Sequence, residues 1–530
     1  MNRFAALLDR LIYTPSRNGK VRLLTDYFAE VPDPDRGWAV AAITRDIEIR
    51  SVKLAVIRSV VASRVDEVLF DLSRDYVGDT AEAAALIWPA EHGSNRVPSL
   101  SEVVGELQSV SRSEAPALIE RLFDALSAEG RWALIKLITG GLRIGVASRL
   151  VKVALAEYGG KEVQEIEELW HGLKPPCQDL FAWLEDKAEK PVNAMKAPFR
   201  PVMLSHPVDE VDKAKIDLSN MAIEWKWDGI RVQLVRDGDE VRLYSRTGDD
   251  ISNAFPDVTD GFPVNAAIDG ELLVYDPAVT DGFAVRPFND LQKRLNRKTV
   301  SAKMLKENPA FVRAYDILWA DDEDLRTLTL DERRKRLEQV VGNSLPRVDL
   351  SERIDGTDWE TLAEHRSSPP LDAIEGVMLK SKDSAYVPGR PKGPWWKWKR
   401  EPRLVDAVLM YAQRGHGKRS SFYSDYTFGC WRGDELVPVG KAYSGYTDQE
   451  LKKIDKFVRD NTTDRFGPVR AVRADREFGL VFEVAFEGLQ KSPRHKSGIA
   501  MRFPRINRLR WDKPAGEADE LITLEAMLPK

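Results

Sequence analysis

The chain has 530 residues, 43% of them hydrophobic and 31% charged, and a net charge of −5. That length holds about three or four domains with real cores, and the composition is that of an ordinary soluble globular protein. The acidic balance excludes indiscriminate coating of nucleic acid, two cysteines exclude a disulfide framework or a Cys-rich zinc site, and no apolar run approaches the ~20 residues that span a bilayer.

The N-terminal stretch Met1-Asn2-Arg3-Phe4-Ala5-Ala6-Leu7-Leu8-Asp9-Arg10 carries charges inside its apolar run, so it reads as an amphipathic helix and not as a signal peptide. With so few cysteines, a reducing, cytoplasmic location is expected. Residues 1 to about 190 are predicted mostly helical: segments 52–61, 117–126 and 132–138 place apolar side chains at near-helical spacing. Gly140-Gly141 stops the last of these. The turn Leu142-Arg143-Ile144-Gly145 follows, then a helix through Leu155. Segment 187–207, with prolines at 191, 198, 201 and 207, reads as a linker.

From about 220 to 400 the pattern changes to short strands. Ile223-Glu224-Trp225-Lys226-Trp227-Asp228-Gly229 alternates. Read as a strand, it turns Ile223, Trp225 and Trp227 into a core, and Glu224, Lys226 and Asp228 into a polar site. A lysine among carboxylates beside an apolar layer suits nucleophilic work, provided that cations converge to favour the neutral amine. A surface Lys-Asp pair before a turn glycine satisfies the same pattern. The strand continues to Asp237-Gly238, a hairpin signal that carries Arg246 back opposite Gly229, or opposite Arg231 if the turn shifts by one. Arg231 and Arg246 supply the required cations, although each is also an ordinary strand arginine.

Strand 267–275 holds Asp269 and Glu271 on one face, and strand 374–380 holds Glu375. Carboxylates in apolar runs need a cation, a metal or a sugar hydroxyl, and hard oxygens suit Mg²⁺. Strand 310–318 offers Tyr315 either as a base-stacking ring or as a core residue, and 329–341 is predicted to be a charged helix. In Trp395-Trp396-Lys397-Trp398-Lys399-Arg400, Lys397 and Lys399 share a face opposite Trp396 and Trp398, an arrangement that suits a polyphosphate. From 403 to 530, strands 405–411, 426–431, 435–440 and 480–486 with a helix at about 447–460 suit a small barrel of the OB type. The run 491–510 carries Lys491, Arg494, Lys496, Arg502, Arg505, Arg508 and Arg510 without an acidic residue, a phosphate-binding footprint.

Taken in this order, these pieces resemble the covalent nucleotidyltransferase superfamily, and within it the larger ATP-dependent DNA ligases. The resemblance covers nearly the whole chain. It implies a helical DNA-binding domain (1–195), an α+β nucleotidyltransferase domain with antiparallel sheets (196–402) and a C-terminal OB-fold β-barrel (403–530). It further implies that Lys226 attacks the α-phosphate of ATP and carries AMP, and that Glu224 reads the adenine amino group. Arg231 and Arg246 would hold the ribose and phosphates, Glu271 the ribose or metal, Tyr315 the adenine and Glu375 the metal. Lys397 and Lys399 would contact the phosphates. Arg390 falls near a family arginine. Arg505, within Arg502-Phe503-Pro504-Arg505, is favoured for orienting the leaving pyrophosphate. ATP and Mg²⁺, with Mn²⁺ as a substitute, are the implied cofactors. Nicked double-stranded DNA is the implied partner of a monomeric enzyme with no membrane. The alternatives are an RNA ligase or capping-type nucleotidyltransferase, and a non-catalytic DNA-binding scaffold.

Overall fold

A computed structural model describes residues 1–528 apart from 78, 90–95, 194, 280–283, 296, 298, 343–344, 416–420 and 494. No helix among the described residues is long and apolar enough to cross a membrane. The chain divides into two compact units, one formed by Met1–Val163, Lys174–Pro191 and Pro402–Lys530, the other by Gln164–Leu173 and Val192–Glu401.

The first unit begins with an all-helical region. The expected helices are Leu54–Arg64, Ala115–Ala125, Ala128–Thr139 and Ser148–Gly159. Gly140 ends the third with φ +65, a left-handed cap that glycine adopts without strain. Within the turn that follows, the buried Lys20 amine donates to the carbonyls of Ile144 (2.6 Å) and Gly145 (3.1 Å).

Among the described residues the second unit contains ten strands: β1 (His206–Pro207), β2 (Met221–Trp227), β3 (Ile230–Asp237), β4 (Glu240–Ser245), β5 (Ala266–Val274), β6 (Ala310–Ala320), β7 (Glu323–Asp324), β8 (Val348–Leu350), β9 (Ile374–Ser381) and β10 (Trp395–Lys399). One sheet runs β1-β10-β9-β2; the other runs β4-β3-β5-β6-β7, with β8 parallel to β6. Asp228 and Gly229 therefore form the corner where the chain passes from one sheet to the other. Behind the first sheet lie Ile223, Val377, Leu379 and Trp398, with Trp225 and Trp396 packed against them. Burying an aromatic of this size removes 150–250 Å² from water, roughly 4–6 kcal/mol before conformational entropy is counted. Helix Leu330–Val341, started by the Thr329/Glu332 capping box, carries Arg333 under the second sheet to Asp316 at 2.8 Å, both fully buried.

Two local expectations are corrected. Trp227 does not share the apolar layer of Ile223 and Trp225. A register shift between Lys226 and Trp227 breaks the alternation, and Trp227 instead lies under the Arg313 guanidinium, 4.2 Å from its ring centre. The proline-rich segment 187–207 is not a bare linker either. Its apolar residues Ala197, Phe199 and Met203 are buried with Tyr244, Tyr386 and Trp395, because prolines hold the chain extended along the sheets.

The C-terminal strands belong to the first unit: β11 (Arg403–Arg414), β12 (Tyr423–Arg432), β13 (Glu435–Ala442), β14 (Thr462–Phe466), β15 (Val469–Val472), β16 (Val481–Phe486), β17 (Gly488–Lys491), β18 (Ile499–Arg502) and β19 (Arg505–Arg510). They pair antiparallel in the order β13-β12-β11-β15-β14, with β16 on β11 and β19 on β16. Helix Asp448–Asp460 lies where the spacing placed it, capped by Thr447 and Glu450.

Candidate active site

Register across β2, β9 and β10 builds the site. Lys226 stands opposite Gly376, which stands opposite Lys399; Glu224 likewise aligns with Met378 and Lys397, and Ala222 with Lys380 and Trp395. Directly opposed residues share a face of a sheet. One face therefore carries Glu224, Lys226, Lys380, Lys397 and Lys399, and the other carries the tryptophan layer.

Strict alternation from Met378 and Lys380 would send Glu375 to the apolar side. Gly376 prevents this. Its φ of +147 is closed to side-chain-bearing residues, and a Cβ there would lie 2.2 Å from the Trp398 carbonyl oxygen. The irregularity turns Glu375 into the polar face, where one carboxylate oxygen meets Lys226 Nζ at 2.5 Å and the other meets Lys399 Nζ at 2.8 Å. Burial raises the Glu375 pKa, but the two lysines outweigh burial and hold it below the usual value.

Glu271 differs. Among the described residues it forms no ion pair, and burial pushes its carboxyl up to about 7, against the pull of Lys226 and Arg231 and with the help of Glu375 and Asp228. Its side chain lies over Gly229, where a Cβ would come within 2.8 Å of Glu271 Cγ. Burial also lowers the Lys397 pKa, reinforced by Lys226, Arg390, Lys399 and Arg246. The Arg246 pKa is lowered by partial desolvation of its guanidinium and by Arg231 and Arg390. Lys226, Arg246, Arg390, Lys397 and Lys399 thus make one cationic cluster. The hairpin pairs Val232 with Ser245, so the register is the shifted one, and Arg246 comes next in line opposite Arg231.

Arg231 is held from behind. Nη1 donates to the Met203 carbonyl (2.5 Å), and Nη2 donates to Asp269 (2.6 Å) and to the Tyr386 hydroxyl (3.0 Å), which itself donates to Asp269 (2.5 Å). Glu224 is 2% exposed; its Oε2 accepts from the Ser351 hydroxyl (2.9 Å) and from Lys380 Nζ (3.1 Å). Lys380, also 2% exposed, rests 4.2 Å from the ring centre of Tyr315 and 5.0 Å from that of Trp395, and burial lowers its pKa despite Glu224 and Asp316. Tyr315 is only partly covered, so one ring backs onto Lys380 while retaining open surface.

Sequence reasoning missed Lys380, Ser351 and Tyr386 as builders of this site, whereas Asp269, expected to need a cation, meets Arg231. For Lys380 a signal existed: it ends an apolar strand on the same parity as Gly376, the residue opposite Lys226. Ser351 had no local signal. Arg505 lies on β19 of the other unit. Of the basic run 491–510, Lys496 pairs with Glu435, Arg508 with Glu483 and Arg510 with Asp406 and Asp512, so much of its charge is compensated internally. Arg494 lies outside the described residues.

A divalent cation fits this donor set through Glu271, a carboxyl that burial alone keeps protonated near neutrality and that a cation would ionise. Glu375 fits only once it releases a lysine, since both its oxygens are engaged. Glu271 and Glu375 together supply two carboxylates, within the one or two with which Mg²⁺ usually binds beside phosphates.

Comparison with known proteins places three matches along the chain. Residues 1–156 match the family described as DNA ligase N terminus, 202–399 the ATP dependent DNA ligase domain, and 419–513 the ATP dependent DNA ligase C terminal region. A probable DNA ligase of Koribacter versatilis is 34% identical over 480 residues, covering 84% of this chain and 81% of the relative. A DNA ligase of Thermococcus fumicolans is 28% identical over 563 residues, 98% of this chain and 96% of the relative. In fold, the chain is similar to the solved structure of Pmar-Lig_PreS3, with a TM-score of 0.60 at 16% identity over 96% of this chain and 99% of that one.

Proposed function

Since the chain belongs to the ATP-dependent DNA ligases, we propose that it seals nicks bearing a 3′-hydroxyl and a 5′-phosphate in duplex DNA, as a monomer, by carrying AMP on Lys226 Nζ. The carrying observation is the row Lys226, Gly376, Lys399 with Glu375 clamped between its two lysines and Glu271 open beside it. A structural lysine has no use for a second lysine on its own counter-ion and a carboxyl whose pKa burial raises next to it.

In the first step the Lys226–Glu375 pair opens and Nζ attacks the α-phosphorus. Nζ attacks as the neutral amine, its ammonium proton having passed to solvent; the N–P bond forms as the bond from the α-phosphorus to the bridging oxygen breaks, pyrophosphate leaves with that electron pair, and the second amine proton also passes to solvent. Adenine lies on the open face of Tyr315, with Glu224 and Lys380 at its edge; the Lys380–Glu224 pair keeps an acceptor ready for the 6-amino group. Arg231 would reach the nucleotide with a guanidinium already fixed by Met203, Asp269 and Tyr386, so little order is lost on binding. Arg246, Arg390, Lys397 and Lys399 offset charge that develops on the phosphates. Glu271 and Glu375 would hold Mg²⁺, or Mn²⁺ in its place, which would supply further charge neutralisation. AMP then passes to the 5′-phosphate of the nick, and the 3′-hydroxyl displaces AMP to close the strand. Arg505 is assigned to the leaving pyrophosphate on the family resemblance alone. In this reading the functional divisions are a DNA-binding region (1–195), an adenylylation domain (196–402) and an OB domain (403–530), in a cytoplasmic enzyme.

The test is to incubate the protein with ATP and Mg²⁺ and map the adduct by peptide mass. The account expects one AMP, on Lys226. An adduct on another lysine would overturn the assignment.

A further inference from the structure

The two halves of the active site stand on different sheets. Lys226 and Glu375 lie on β2 and β9 of one, Arg231 and Glu271 on β3 and β5 of the other. The row that holds Arg231 and Glu271 continues across the second sheet. Glu271 stands opposite Arg313 of β6, and Arg313 stands opposite Asp349 of β8, so the sign of charge alternates along the row. Arg313 grips Asp349 through two nitrogens: Nη2 donates to Oδ2 at 2.6 Å, and Nε donates to both oxygens at 3.1 Å.

The guanidinium fixed in this way reaches back to the first sheet, where its carbon lies 4.2 Å from the centre of the Trp227 ring. Trp227 directly follows Lys226, and the register shift of β2 against β9 falls between the two. The indole N–H of Trp227 is buried and meets no acceptor among the described residues, so the ring is held by its face and not by a hydrogen bond. A ring drawn out of its strand's apolar layer needs a partner on the other side, and a cation over its face supplies one. The next N–H, that of Asp228, donates to the Ala373 carbonyl at 2.7 Å and pins the corner that follows.

We propose that Arg313, braced by Asp349, is a positioning residue for adenylylation: it clasps Trp227 and so sets the place of Lys226 Nζ relative to Arg231 and Glu271. The inference rests on reading Lys226 as the lysine that carries AMP, and adds a residue which that reading does not use. An arginine suits the task because Asp349 can hold the edge of its fork while its flat face stays free for the indole. A reacting atom displaced by about 1 Å can lose about 10²-fold in rate. A clasp beside the nucleophile therefore acts on the rate of bond formation and not on the affinity for ATP.

The test follows single-turnover adenylylation of the full chain by α-labelled ATP with Mg²⁺. It reads the rate at saturating ATP, the ATP concentration at half-saturation and the fraction of chains labelled at completion. Arg313→Gln should lower the rate by about 10- to 100-fold, with half-saturation within about twofold of the parent and the labelled fraction unchanged. Trp227→Leu should cause a similar loss, and the double variant no further loss, because the two residues act in one line. Arg313→Lys keeps a cation for the ring and should recover part of the rate. A rate equal to the parent's, or losses that multiply in the double variant, overturns the proposal. So does a smaller labelled fraction at the parent's rate, the result expected of an arginine that only supports the fold. If Arg313→Gln does not fold, Asp349→Asn decides, since it loosens the guanidinium and keeps its charge: a rate lower by about threefold or more supports the clasp, and the parent's rate overturns it. If the parent forms no adduct on Lys226, the reading of Lys226 fails together with the clasp. An adduct in the parent with unchanged rates in the variants removes the clasp alone.

Discussion

Glu271 gives the sharpest quantitative test of the cleft. Burial raises its pKa from 4.5 to about 7. At 1.36 kcal/mol for each pKa unit, the difference corresponds to about 3 kcal/mol. For a carboxyl raised on folding, the folded chain holds a proton that the unfolded chain releases between pH 4.5 and 7. Stability therefore falls as pH rises through that window, and about 3 kcal/mol has been lost above pH 7. Glu271→Gln cannot ionise and escapes the loss. Urea unfolding of the nucleotide-free protein and of the variant at pH 5 and pH 8 reads this directly. The variant should gain on the parent by up to about 3 kcal/mol between the two conditions, while losing adenylylation at both. A stability difference that is the same at pH 5 and pH 8 would refute the placement of Glu271 as an unpaired carboxyl in a dry cleft.

Other consequences follow from the same geometry. Lys380→Met strands the Glu224 carboxylate without its cation and should cost about 3–5 kcal/mol of stability by urea unfolding; adding Glu224→Gln should recover most of that loss. Gly376→Ala forces a Cβ against the Trp398 carbonyl at a φ that alanine avoids, so thermal unfolding should shift several degrees downward and adenylylation should be lost with it. Lys226→Ala leaves Glu375 paired with Lys399, so the melting temperature should change little while adduct formation with ATP disappears. Tyr315→Phe should keep the ring and raise the KM for ATP only slightly, whereas Tyr315→Ala should raise it by roughly 5- to 150-fold, a stacking loss of about 1–3 kcal/mol.

Much of the site was readable because strands report by parity. Glu224 and Lys226, and likewise Lys397 and Lys399, lie two positions apart, so their shared faces followed once a strand was recognised. What parity could not give was the place where it fails. Glu375 reaches the lysines only because Gly376 adopts a conformation closed to other residues, and Trp227 leaves its layer at the same level of the sheet. A bulge is a property of two paired strands, and a single strand's sequence does not contain it. Arg231 was placed near the site, but its hold on Asp269, Met203 and Tyr386 joins positions far apart in the chain. The Pro-rich segment misled for a related reason: its prolines signal an absence of helix, and its three buried apolar residues find their partners only in the folded unit. In the C-terminal region the longer strands were found, whereas β14, β15 and β17 to β19 were not, since runs of four to six residues are too short to show alternation.

The central claim is that AMP held on Lys226 is handed to DNA. Label the protein with α-labelled ATP and Mg²⁺, remove the nucleotide, and add nicked duplex. The account predicts a denaturation-stable label on the protein that moves to the 5′-phosphate at the nick and is released as free AMP when the strand closes. Label that forms on Lys226 and stays there in the presence of a nick, with no sealed product, would contradict it.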